Sequence, residues 1–444
     1  MSFVILKLFK TDFFKNAGTL FSGSLMAQAV SFGALYFLAK MYSPAQFGSL
    51  EIFVKLAGIG TVVAGLRYEL AIVAVDTDDE AQDITRLSLW LNFLISTSFF
   101  IIIICFKTSL AALFNITQPN ILYFVPLAIW LMGSAETLVF WGNRQRKYKT
   151  TSNNRVLSSV SGTSYKLLHP FITIAGNGLI IGQLLSQIVA FLHLLLIYPI
   201  KILDTTKNDL IKLAKKHKSF SLYSTPAAFL NILATSMPVF MIAAFDGQDA
   251  TGYFGNAFKL SYLPMSMIAM ALGQVFFERN ARLKNDKVQT AAMSHQLFDT
   301  MFWVALIPVV VLTVWGDQIT LLLLGEEWTE TGVYIQITMP FYFAMYLTTS
   351  FSSAFVTYNK LNVQLVYNLF FLTITAGALY LTYRLGGNTR SALAWFTLVG
   401  VILRIGVLNY FFHLFGKNLI AKTIFAIVLT GTLVWLGFEI KEGF

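Results

Sequence analysis

Uninterrupted apolar runs of about 20 residues recur along almost the whole chain, and nothing else limits its folds so tightly. A helix rises about 1.5 Å per residue, so a run of that length covers a hydrocarbon core about 30 Å thick. The runs fall near 17–39, 47–75, 84–106, 120–141, 156–175 and 179–200 in the first part of the chain. They continue near 220–245, 252–277, 297–315, 333–358, 363–383, 393–415 and 419–438, about thirteen in all. They are continuous rather than alternating, which excludes a transmembrane β-barrel. Composition agrees, since only 12% of the 444 residues are charged, against about 25% in soluble proteins. A hydrophobic content of 56% excludes disorder. Cys105, the single cysteine, excludes a disulfide scaffold and reads as a small packing residue.

Charge fixes an orientation. With the N-terminal side taken as inner, 22 of the 32 basic residues fall on that side and 5 on the outer side. The inner group includes Lys7, Lys10 and Lys15, the Arg144–Arg155 connection, the 201–218 connection, and Arg279, Arg282, Lys284 and Lys287. The positive-inside rule then predicts a cytoplasmic N-terminus. The first apolar segment is long enough to remain as a span, so no cleaved signal peptide is expected. The net charge of +10 is accounted for by topology and anionic lipid, without a nucleic-acid partner. No connection is long enough for an extramembrane domain; the largest, 201–219, carries an IKLAKKHK stretch expected as an interfacial helix.

The chain also repeats itself. Gly48 to Leu56 and Gly252 to Leu260 both read G-x6-K-L, at the openings of the second and eighth spans. A second echo pairs Asn143-Arg144 with Asn359-Lys360. The expected fold is therefore an all-α polytopic membrane protein of about 12–14 helices, in two six-helix lobes related by an internal repeat. The expected boundaries are 1–200 for the first lobe, 201–219 for a basic linker, 220–415 for the second lobe and 416–444 for an additional helix.

Five basic residues remain for the membrane interior: Lys55, Lys166, Lys259, Arg67 and Arg404, against Glu69. A charge at the bilayer centre costs roughly 2.5–3.5 kcal/mol on insertion scales, so such groups face a bundle interior or wet cavity. Lys55 and Lys259 lie about 10 Å below the outer boundary; snorkelling to headgroups is the bland alternative, and their paired positions weigh against it. Lys166 and Arg404 are expected near mid-span, and suit a cavity better. Arg67 and Glu69, two apart on a helix, are expected to face different ways. Glu136 and Asp299 read as boundary residues, His169 and His193 as packing residues. A cavity with five cations to one anion suits a phosphate or diphosphate. Prolines 126, 226, 238, 264, 308 and 340 fall in or beside spans and allow kinks, in a mobile bundle or a merely packed one. No Walker A, GxSxG, HExxH or CxxC motif occurs. No catalytic residue, cofactor or metal is expected; pumping would draw on a proton or sodium gradient, the membrane potential or substrate flux.

The stretch from Leu38 to Gly48, LAKMYSPAQFG, resembles the L-x-R-x-x-S-P-x-x-[FY]-G opening of the second helix in bacterial polysaccharide flippases, the Wzx-type transporters of the MOP superfamily. Further similarities are Leu66 to Ile72 with the acidic 76–83 segment, and Gly178 to Gln183. Ala250 to Phe254 with Lys259 and Pro264, Gly273 to Phe276, and Gly325 to Trp328 with Pro340 continue the likeness in the second half. The resemblance implies a two-lobed bundle like that of MATE and other MOP transporters, alternating between inward- and outward-open states. Its cargo would be an undecaprenyl-diphosphate-linked oligosaccharide moving to the periplasmic leaflet of the inner membrane. Basic cavity residues would be Lys55, Lys259 and Arg404. Implied partners are that lipid, membrane lipids and polysaccharide polymerase or other assembly proteins. One departure is the odd number of spans, with 317–324 a candidate short outer helix. Rival readings are a MATE-type cation antiporter, which calls for an acidic site, and a polysaccharide polymerase or ligase, which calls for a large outer loop.

Overall fold

A computed structural model describes residues 12–172, 176–200, 206–283 and 285–442. Lys7, Lys10, Lys201 and Lys284, counted above on the inner side, lie outside the described residues, as does the end of the expected fifth span. The described residues form helices joined by turns and short connections, without a strand. In chain order the helices begin with α1 (Asp12–Met41), α2 (Pro44–Ala64), a short α3 (Ala71–Ala74), α4 (Asp78–Leu113) and α5 (Phe124–Arg144). Then come α6 (Tyr148–Leu168), α7 (Gly178–Ile197), α8 (Lys207–Lys216), α9 (Thr225–Leu283) and α10 (Lys287–Leu324). The last are α11 (Thr329–Thr349), a short α12 (Ala354–Thr357), α13 (Leu361–Arg384), α14 (Thr389–Leu414) and α15 (Ile420–Glu442). The chain divides into two compact units, 1–232 and 233–444.

Several helices start where the sequence supplies a cap. Ser43 caps α2 in a capping box: its hydroxyl accepts from the Gln46 N–H, and Gln46 Oε1 accepts from the Ser43 N–H at 3.0 Å. Pro44 opens that helix, where its missing N–H costs nothing. Thr77 caps α4 ahead of Asp78, Asp79 and Glu80, which suit the positive end of the helix dipole. Asn177 caps α7 and Asn388 caps α14. The S-P pair, the acidic segment and the stretch opening at Gly178 are thus, in physical detail, helix starts.

Among the described residues, ten helices are long and apolar enough to cross a membrane. One of the ten, 220–283, covers two expected spans: α9 is broken at Gly247 (φ 83°, ψ −166°), a backbone only glycine adopts easily. Two more expected spans correspond to the 21-residue helices α6 and α11, which are not among the ten. Some expected boundaries are corrected. The second span stops at Ala64, the fifth at Leu168 and the tenth at Thr349. The candidate short helix at 317–324 is helical and forms the last part of α10, set off from the rest by a kink at the non-helical Trp315.

In the first unit, Tyr68, Ile72, Ile84, Leu138, Trp141 and Leu194 belong to one core cluster. The stretch expected as an interfacial helix is helical in part, as α8, and its Leu210, Leu213 and Ala214 lean on that cluster while Tyr68 Oη donates to the Ala214 carbonyl at 2.9 Å. The Thr206 hydroxyl, and then Lys212, hold the Asp209 carboxyl in its first turn below the usual carboxylate range. The second unit has a core rich in aromatic rings. Phe351 packs edge-on against Phe276 and Phe412 at 5.1 and 5.3 Å, and Phe415 closes the group.

Candidate functional site

The repeated glycine and lysine occupy matching places in their own helices. Gly48 is the fifth residue and Lys55 the twelfth counted from Pro44. Gly252 is the fifth and Lys259 the twelfth counted from Gln248, just past the Gly247 break. Both glycines are buried and both lysines half-buried. One turn before Lys55, the α2 face also carries Glu51, which is 7% exposed. The sequence signal for Glu51 was its spacing: Glu four residues before Lys is the favourable helical order. Gly255 holds the corresponding place before Lys259. The second echo shifts by three residues. Arg146 and Asn359, both with positive φ, close the preceding helices in the same pattern. The N–H groups of Lys147 and Lys360 reach the Gly142 and Phe355 carbonyls at 2.9 and 2.7 Å, a Schellman closure.

Arg404 sits on α14 and lines a cavity of about 280 Å³ inside the second unit. Phe298 and Val309 of α10, Phe343 and Leu347 of α11, and Ala426 and Ile427 of α15 form much of its apolar wall. The guanidinium lies 4.9 Å from the Phe371 ring centre and 5.9 Å from that of Phe341. Its Nη1 is 3.4 Å from Thr348 Oγ1, a long hydrogen bond, and its buried Nε has no partner. Among the described residues no carboxylate pairs with it. A half-buried cation without a counter-ion is costly, and an anion placed there relieves that cost.

Arg67 and Glu69 depart from expectation. Helix α2 ends at Ala64, and Leu66 and Arg67 then take left-handed backbone (φ 45° and 58°) before a 3₁₀ turn at Tyr68–Leu70. Residues two apart face different ways only on a continuous helix. At this break they meet instead: Arg67 Nη1 is 3.4 Å from Glu69 Oε1 and 3.6 Å from Glu136 Oε1. Glu69 is only 4% exposed. Glu136, read as a boundary residue, is the partly exposed third member of this group.

Lys166 is not mid-span but in the last turn of α6, where Nζ donates to Gln183 Oε1 at 3.1 Å. Asp299 accepts from Lys422 of α15 at 2.7 and 2.8 Å. At the other end of α15, Lys441 reaches Asp317 of α10 at 2.7 and 2.8 Å. His169 is buried at the end of α6, and His193 packs beside Asn154 at 3.1 Å. The described residues hold no group of three or more His, Cys, Asp or Glu arranged for a metal ion. Lys55, Lys166, Arg67 and Glu69 belong to the first unit, Lys259 and Arg404 to the second.

A profile of the family described as polysaccharide biosynthesis protein matches residues 37–333. A curated Klebsiella pneumoniae protein, described as an uncharacterized membrane protein in the cps region, is 19% identical over 399 residues, 88% of this chain and 80% of its own length. Among solved structures, the lipid II flippase MurJ in an inward closed conformation aligns with a TM-score of 0.70 at 13% identity, over 96% of this chain and 97% of its own. An inward-facing MATE-family multidrug transporter of the MOP superfamily aligns with a TM-score of 0.58 at 14% identity, over 90% and 94% of the two chains. A Pyrococcus furiosus MOP transporter described by a binding pocket of reversed polarity aligns at 0.57 and 15% identity, over 91% and 97%. At such identities the likeness establishes a shared fold.

Proposed function

Because the chain belongs to the polysaccharide biosynthesis protein family and has the fold of MOP-superfamily transporters, we propose that it flips an undecaprenyl-diphosphate-linked oligosaccharide across a bacterial inner membrane. The cargo would be the repeat unit of an O-antigen or a related surface polysaccharide, carried from the cytoplasmic to the periplasmic leaflet. Arg404 carries this reading: a half-buried guanidinium beside an apolar cavity, with no carboxylate among the described residues paired to it. Its flat fork of donors matches phosphate oxygens in pairs, and a low-dielectric surround strengthens each contact. Lys55 and Lys259, at matching places in repeated helices of the two units, each bring an ammonium group that suits an anionic cargo. The lipid tail stays in hydrocarbon while the diphosphate and sugars pass, and alternating access needs no covalent chemistry. A cation antiporter would pair such an arginine with acid or dispense with it.

The test is flipping of a fluorescent undecaprenyl-diphosphate oligosaccharide in proteoliposomes. Arg404→Gln should slow it at least about tenfold, equivalent to ~1.4 kcal/mol, and Arg404→Lys should retain part of the rate. Wild-type flipping by Arg404→Gln would remove the basis of this reading.

A further inference from the structure

The break after α2 holds a second kind of site. Glu69 Oε2 and Asn92 Oδ1 are both buried acceptors without a hydrogen-bond partner. Both border one point: a Cβ placed on Gly65 would lie 2.8 Å from the carboxylate oxygen and 3.7 Å from the amide oxygen. The amide cannot simply be turned round. Thr137 Oγ1 donates to the Gly133 carbonyl at 2.9 Å, so it can only accept from Asn92, whose Nδ2 stands at 3.2 Å. That leaves Oδ1 on the side of Gly65, where Glu69 Oε2 also lies. Asn92 is fully buried, and a Cβ on Gly133 would come within 2.2 Å of Oδ1, so the amide is held in place. Two buried acceptors turned to one point, with no donor between them, lack one hydrogen.

We propose that Glu69 is a proton-binding site, its Oε2–H donating to Asn92 Oδ1, and that the proton decides how Arg67 is shared between Glu69 and Glu136. With the proton bound, Glu69 is neutral and Arg67 serves Glu136. When the proton leaves to water, Glu69 becomes an anion and draws Arg67 to itself. The charged groups that face Glu69 are Arg67 from its own segment and Glu136 from α5; α4 contributes the uncharged Asn92. Two carboxylates on one guanidinium leave one negative charge over, which a single proton cancels. A metal ion fits less well, since Arg67 already stands 3.4 Å from the same carboxylate. The left-handed Leu66 and Arg67 place this group at a joint in the backbone rather than in a rigid helix, so a change of partner can alter the joint. The proposal goes beyond the flippase reading and does not depend on the cargo.

Infrared difference spectroscopy on the full chain in lipid nanodiscs tests it without any transport assay. A protonated-carboxyl band should persist at about pH 7, vanish in Glu69→Gln and survive in Glu136→Gln. Asn92→Ala, which keeps Glu69 but removes the acceptor, should move the band's midpoint down by about one pH unit. This second variant decides the matter if Glu69→Gln does not fold. Absence of the band in the wild type, its persistence in Glu69→Gln, or an unmoved midpoint in Asn92→Ala overturns the proposal. So does stabilisation by sodium chloride that is lost in Glu69→Gln, which would make this a metal-cation site.

Discussion

At the scale of single residues, charge inside the membrane was legible and its company was not. Arg404 stood out in the sequence because nothing short explains an arginine deep in an apolar run, and it does line a cavity. Glu51 sits near the start of α2, where an acid looks like a boundary residue; in the fold it is buried one turn before Lys55. That placement makes a double-mutant cycle informative. Glu51→Gln alone should lower stability by about 1–3 kcal/mol, and Glu51→Gln with Lys55→Met should recover part of the loss. Thermal unfolding in detergent gives the coupling, and strict additivity would show that the two side chains do not interact.

At the scale of elements, starts and stops follow local chemistry, while breaks follow packing. The capping box at Ser43 and the acidic first turn after Thr77 were plain in the sequence. The end of α2 was not. Leu66 to Leu70 contains no proline and only helix-compatible residues, so nothing local announces two left-handed positions. Close helix approach was equally hidden, because a glycine in a polar stretch such as that of α6 reads as loose. In the structure a Cβ on Gly162 of α6 would lie 2.7 Å from the Gly182 carbonyl of α7, and a Cβ on Gly182 would lie 2.8 Å from that of Gly162. Backbone cannot yield as a side chain does. Gly162→Ala should therefore cost about 1–3 kcal/mol, read as a lower unfolding midpoint, whereas Gly377→Ala, with open space around it, should cost nothing comparable.

At the scale of the whole molecule, apolar run length identified the helical membrane architecture and found even the polar or joined helices, misplacing the ends of some spans. Helix α6 is rich in Ser, Thr and Asn, and α9 reads as two runs because Gly247 bends it. Orientation rests on the 22-to-5 distribution of basic residues, and it can be tested directly because Cys105 is the sole cysteine. In a Cys105→Ser background, an impermeant maleimide should label Arg390→Cys in intact spheroplasts. It should label Arg146→Cys only after the membrane is opened, and the reverse pattern would invert the topology. Two Lys–Asp clasps hold α15. This helix walls the Arg404 cavity and is tied to α10 near each end, by Lys422–Asp299 and by Lys441–Asp317. On the predicted orientation the two ties meet different compartments, so the salt and acidity of each side act on one end alone. The ties are also unequal, since the Lys422–Asp299 side chains are 42% and 46% exposed and the Lys441–Asp317 pair 19% and 30%. Exposed pairs are the weaker. The wall should then behave as a door with a latch on the Lys422 edge and a hinge on the Lys441 edge.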